Sequence, residues 1–153
     1  MKYRILVVSI LFLACLFGPK LIRSFLERPN IDPQVQAPVS LSSEKLMQVV
    51  NKWRVEQGLQ SYVINDALCR IANDRVPDGL DFHKGLLSRY SSYPSVISEN
   101  EIIGSKSEAQ ALYSWLGSPP HEKALKTNFK YSCIATKGDF AVQIFSNCSA
   151  GCP

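Results

Sequence analysis

His83, Glu99 and His121 are the residues of this chain best suited to chemistry: its two histidines and a carboxylate between them in sequence. Two imidazoles and one carboxylate are the donor set of a zinc site that keeps a coordination position open for water. No HExxH helix delivers them, so any convergence has to come from the fold. On spacing alone each histidine also reads as a surface or hydrogen-bonded structural residue, and Glu99 as an acceptor for backbone N–H groups. Serine chemistry is poorly served. No GxSxG turn is present, and Ser42, Ser43, Ser88 and Ser118 read as helix caps and turns. The chain has neither a Walker-type phosphate loop nor GxGxxG.

The elements that must position these groups follow from periodicity. SSEKLMQVVNKWRVEQGL predicts a helix that Ser43 can cap, with Leu46, Val49, Val50 and Trp53 at helical spacing and Gly58 suited to the stop. NDALCRIANDRV predicts a second helix, capped by Asn65 or Asp66, facing inward through Leu68, Ile71 and Ala72 and ended by Pro77. Residues 78–95 read as a loop whose aromatic stretch, Phe82 to Tyr93, either lines a groove for an apolar or saccharide ligand or simply packs. SVISENEII reads as a short strand or extended segment. A helix over Ser107 to Leu116 puts Ala111, Leu112 and Trp115 on one side, and Gly117 ends it. In SWLGSPPHEKAL one helix stops and another starts, with Ser118 as cap, Pro119 in the first turn and His121 set into the junction. YSCIATKGDFAVQIF predicts a hairpin about Lys137-Gly138-Asp139. Strands and helices do not alternate as βαβ units, which points to an α+β fold with a small antiparallel sheet under helices.

The net charge of +4 is misleading until it is located. Five basic residues and one acid lie at or before Arg28, and the remainder carries twelve of each sign. There is no basic stripe with interleaved aromatics, so nucleic acid is not an expected partner. MKYRILVVSILFLACLFGPKLIRSFLERP has the basic start and apolar run of an export signal, without a small-x-small cleavage site. Residues 1–27 therefore read as an uncleaved signal anchor or transmembrane helix, with Lys20 and Arg23 snorkelling to the interface. Cys15 reads as a small apolar residue of that segment or as a lipid acceptor. Residues 28–41, with three prolines, read as a spacer. Export makes disulfides expected, and Cys69, Cys133, Cys148 and Cys152 allow three pairings; no CxxC elements suggest structural zinc.

LMQVVNKWRVEQGL, DALCRIANDRV, FHKG, SEN, SWLGSPPH and FAVQIF follow one another in an order similar to that of the CAP superfamily. That superfamily takes in cysteine-rich secretory proteins, antigen 5 and plant pathogenesis-related proteins, and the chain looks most similar to its short bacterial SCP-like domains. The resemblance runs from Ser42 to Phe145 and implies an α-β-α sandwich whose cleft holds two histidines and two acids. By motif, His83 resembles the first histidine, Glu99 the acid of the family's GEN, and His121 the second histidine. Two departures stand out: SEN replaces GEN, and Ser118 stands where the second acid usually follows the tryptophan, here Trp115. A hydrolase would then lack an assigned general base. Because the second helix packs over the sheet in this fold, the resemblance also implies a Cys69–Cys133 bridge, leaving Cys148 and Cys152 as a local pair. The implied layout is an anchor over 1–27, a Pro-rich linker over 28–41, an SCP-like domain over 42–147 and a tail over 148–153.

Three functions compete. The first is a membrane-tethered extracytoplasmic module binding a lipid, cell-wall or protein ligand through the His83/Glu99/His121 cleft, with zinc or another divalent cation as the candidate metal. The second is a metal-dependent hydrolase of peptide, envelope polymer or ester, with Glu99 as third ligand or base. The third is a structural or interaction protein whose histidines serve the core.

Overall fold

The strand Phe140–Ser146 is buried at every position, and the architecture follows from that fact. Phe-Ala-Val-Gln-Ile-Phe-Ser has no polar face to turn to water, so it must lie inside a sheet covered on both sides. A computed structural model describes residues 38–76, 83–93 and 97–148. Among the described residues there are five helices and four strands. In chain order they are α1 (Ser43–Glu56), β1 (Val63–Ile64), α2 (Asp66–Arg75), α3 (Leu86–Arg89), β2 (Ile97–Ile102), α4 (Glu108–Leu116), α5 (Pro119–Lys126), β3 (Tyr131–Lys137) and β4 (Phe140–Ser146).

The sheet order is β1-β3-β4-β2. β4 pairs antiparallel with β3 and with β2, so it is central as its burial requires. β1 pairs parallel to β3, Val63 opposite Tyr131, which makes the sheet mixed rather than antiparallel. Two exposed residues, Val63 and Ile64, form that strand, too short a run to carry a period of two. The hairpin turns at Gly138, whose φ of 60° lies in the left-handed region that the first position of a two-residue turn needs.

Alternation then sorts the core into two layers. Ile134, Ala141 and Phe145 face Leu46, Met47 and Val50 of α1, Ala111, Leu112 and Trp115 of α4, and Leu125 of α5. Cys133, Ala135, Val142 and Ile144 face Leu68, Ile71 and Ala72 of α2 and Leu86 of α3. Helices thus cover both sheet faces. Each fully buried Leu or Ile contributes about 1.5–3 kcal/mol at most. A Cys69–Cys133 disulfide, Cα atoms 5.0 Å apart, ties α2 to β3. Cys148 is also disulfide-bonded, and its expected partner Cys152 lies outside the described residues.

Helix ends follow the sequence with small shifts. Ser42 rather than Ser43 caps α1, its hydroxyl accepting from Lys45 N at 3.3 Å, while Ser43 Oγ meets Thr136 Oγ1. Asn65 caps α2 and Ser107 caps α4. Ser118 holds the cap position of α5 without a side-chain hydrogen bond, and Pro119 opens the helix. The four-residue α3 was not anticipated within the expected loop. Tyr90 and Tyr93 of that loop pack against the α2-side core, and Tyr93 Oη donates to Cys148 O at 2.9 Å.

One buried cation was invisible to the apolar pattern. Arg54, 0% exposed, donates from Nη1 to Tyr62 Oη (2.7 Å), to Leu125 O and to Thr127 O (3.3 Å), and from Nε to Gln60 O (2.8 Å). Leu125 and Thr127 carry carbonyls at the C-terminal end of α5, where helix geometry leaves acceptors unpaired and negative. Arg54 therefore caps the helix that carries His121. No helix among the described residues is long and apolar enough to cross a membrane. The expected anchor over 1–27, the linker through residue 37, Cys15 and Phe82 lie outside the described residues.

Candidate functional site

β2 builds the site because it ends the sheet. At the sheet's margin, groups coming from its two faces can meet around one strand. Ile97, Glu99 and Glu101 alternate onto the α2 side, while Asn100 and Ile102 face the α4/α5 side. Glu99, Asn100 and Glu101 are 7%, 0% and 3% exposed, so each must be paired.

The carboxylates are paired by Arg75, the last residue of α2. Its Nε lies 2.7 Å from Glu99 Oε1, and its Nη2 lies 3.1 Å from Glu99 Oε2 and 3.2 Å from Glu101 Oε1. Its Nη1 donates to Lys84 O at 2.8 Å. The planar fork of a guanidinium suits this multiple grip, which a lysine point charge could not reproduce. Burial pushes the Glu101 carboxyl above its usual range, and the neighbouring Glu99 adds to this; the His83 N–H and Arg75 pull it back.

His83 is held by both carboxylates. Its backbone N–H donates to Glu101 Oε2 at 2.8 Å, and its Nδ1 lies 3.1 Å from Glu99 Oε2. An ionised carboxylate can only accept, so the proton of this contact belongs on Nδ1 and Nε2 carries the lone pair. That Nε2 lies 3.3 Å from His121 Nε2, with the ring centroids 5.4 Å apart. His121 arrives from the other face on α5, and Asn100 Nδ2 donates to its carbonyl at 3.2 Å. Burial, and then the nearby His83, hold the His121 imidazole below its ordinary pKa of 6.5.

The structure thus brings together all three site residues read from the sequence. It adds Arg75, Asn100 and Glu101, which the sequence reading missed. Glu101 could have been found: it lies two positions from Glu99 on the same strand, where period-two alternation returns a side chain to the same face. It also supplies a second acid to a cleft from which Ser118 had seemed to remove one. Arg75 offered no such signal, since a basic residue ending a helix ordinarily reaches solvent. Among the described residues Glu99 is met by side-chain donors, Arg75 and His83, whereas Glu101 takes the backbone N–H of His83.

The donor geometry sorts the possible metal ligands. His83, Glu99 and Glu101 offer one ligand atom each within 4.8 Å of one another. However, all four carboxylate oxygens are already engaged by Arg75 or His83. The two Nε2 atoms fit better. At a Zn–N distance of about 2.0–2.1 Å, two nitrogens of a tetrahedral site are about 3.3–3.4 Å apart. A carboxylate behind the other ring nitrogen is the usual support for a metal-binding imidazole. Beside the pair opens a cavity of about 460 Å³ lined by His83, Leu86, Leu87, Ser88, Ile97 and Glu99.

No family model and no curated protein matches the sequence. Solved structures do match its fold. A cysteine-rich secretory protein from Staphylococcus aureus aligns with a TM-score of 0.60 at 19% identity over 69% of this chain. An outer surface protein from Borrelia burgdorferi aligns at 0.56 and 17% identity over 72% of this chain and 98% of its own length. An extracellular protein containing an SCP domain, from Bacillus anthracis, aligns at 0.55 and 19% identity over 69%. The chain spans only 38% and 40% of the staphylococcal and bacillar proteins. The chain thus shares the fold of these secretory, outer-surface and SCP-domain proteins. That fold is mixed α/β on a four-stranded sheet.

Proposed function

We propose that this chain is an extracytoplasmic binding module, tethered to a membrane by its N-terminal segment, whose cleft takes a divalent cation on the imidazoles of His83 and His121. The carrying observation is the 3.3 Å separation of their Nε2 atoms with Glu99 behind Nδ1 of His83. An all-nitrogen edge favours zinc and similar imidazole-seeking ions over magnesium or calcium, which seek oxygen. When bound, such an ion would supply a Lewis-acidic contact for a polar group of a lipid, cell-wall or protein ligand seated in the neighbouring cavity. Glu99 orients the His83 ring, and Asn100 holds the backbone of His121. The three fold relatives, one a secretory, one an outer surface and one an extracellular protein, support a place outside the cytoplasm. The apolar, basic-flanked residues 1–27 support the tether.

Binding is favoured over hydrolysis by the carboxylates. A general base needs a free oxygen in reach of the attacking water. Here every oxygen of Glu99 and Glu101 is committed to Arg75 or His83.

Calorimetric titration of the EDTA-treated full chain with zinc tests the reading. We expect one equivalent bound at micromolar zinc, and a loss of at least tenfold in affinity in His83→Gln and His121→Ala. Full uptake by both variants, or none by the native chain, would overturn it.

A further inference from the structure

We propose that Arg75 and Glu101 are positioning residues for His83: together with Glu99 they hold it in a left-handed backbone conformation that presents Nε2 to His121. This inference rests on the reading of the His83/His121 pair as a binding site, but it is tested on metal-free protein.

His83 has a φ of 59°, the one left-handed non-glycine residue among those described. An L side chain in that conformation meets Cβ–backbone crowding, a steric cost. A glycine would remove the cost, yet the chain places a histidine there. What opposes the strain is visible. The His83 N–H, aimed inward by this φ, meets Glu101 Oε2 at 2.8 Å. Its ring meets Glu99 at 3.1 Å, and Arg75 grips the next residue through Lys84 O at 2.8 Å. One guanidinium thus fixes both carboxylates and the loop they hold.

The distribution of burial shows what the arrangement serves. The side chains of Arg75, Glu99 and Glu101 are 1%, 1% and 3% exposed, whereas that of His83 is 45% exposed. Every supporting group lies inside, and the imidazole is the part presented. A purely structural ion cluster would close a loop equally well over any side chain. In this one, both carboxylates that Arg75 holds also reach His83, one at its backbone N–H and one at its inner ring nitrogen.

Glu101→Gln and Arg75→Lys test the assignment in ¹⁵N-labelled, EDTA-treated protein. We expect both to lose the Nδ1–H tautomer signature of His83 and the ring-to-ring proton cross-peak between His83 and His121. Zinc affinity should fall about 10–100-fold, the usual effect of removing a group that orients a metal-binding imidazole. Val50→Ala, a core change in α1, which carries none of the site residues, should leave the tautomer and the cross-peak intact. Glu101→Gln keeps the volume of the buried site, so it decides the question if Arg75→Lys does not fold. Retention of both signals in Glu101→Gln would overturn the proposal. If the native chain takes up no zinc, the metal reading fails while the tautomer and cross-peak still decide this one.

Discussion

Asn100 Nδ2 donates to the carbonyl oxygen of His121, whereas Glu99, its neighbour in β2, binds the ring of His83. Consecutive residues of a strand point to opposite faces, so this dipeptide serves the two histidines from two sides of the sheet. That is possible only at a margin. In the central strand β4, helices cover both faces and side chains of opposite layers never meet.

His121 should titrate below its ordinary 6.5 in metal-free protein, because burial first and His83 second disfavour its charged form. A base whose folded pKa is lowered gives up protons on folding. Its contribution to stability is therefore complete above 6.5 and is lost as pH falls through the lowered value. His83→Gln removes the neighbouring imidazole but not the burial, so the midpoint should move up and still fall short of 6.5. Imidazole C–H shifts against pH check this. A midpoint in the native protein at or above the ordinary value would contradict it.

The disulfide between α2 and β3 should be a large single contributor to stability. It spans a sequence separation of 64, for which the loop-closure model gives about 4 kcal/mol. Guanidinium unfolding of Cys69→Ala/Cys133→Ala against the native chain measures it directly. The double variant is preferable to a reductant, which would also reach the bridge at Cys148. A loss under about 1 kcal/mol would show that the two layers are held by packing alone.

Strain at His83 predicts an inverted order of substitutions. His83→Gly and His83→Ala both remove the ring and its bonds, but only glycine relaxes at a φ of 59°. The glycine variant should be the more stable by about 1 kcal/mol, despite its floppier unfolded chain. Equal midpoints in thermal unfolding would mean that the backbone there is unstrained.

Much of this protein could be read from residues alone, because the informative signals were local. Short β-prone runs located β2, β3 and β4, helical spacing located α1, α2 and α4, and Gly117-Ser118-Pro119 marked the α4/α5 break. The order of the motifs around His83, Glu99 and His121 singled out the three groups that do meet. What stayed hidden was long-range or too short for a period. β1 is two residues whose pairing belongs to β3, and α3 is one turn. Arg54 and Arg75 lie in the last turns of amphipathic helices, as solvent-facing cations usually do, and only the packed chain turns them inward onto helix carbonyls and carboxylates. A sequence sets which faces are apolar, since that is a property of neighbours a few positions apart. Which charges become buried partners depends on how the layers close, and burial is what makes such pairing obligatory.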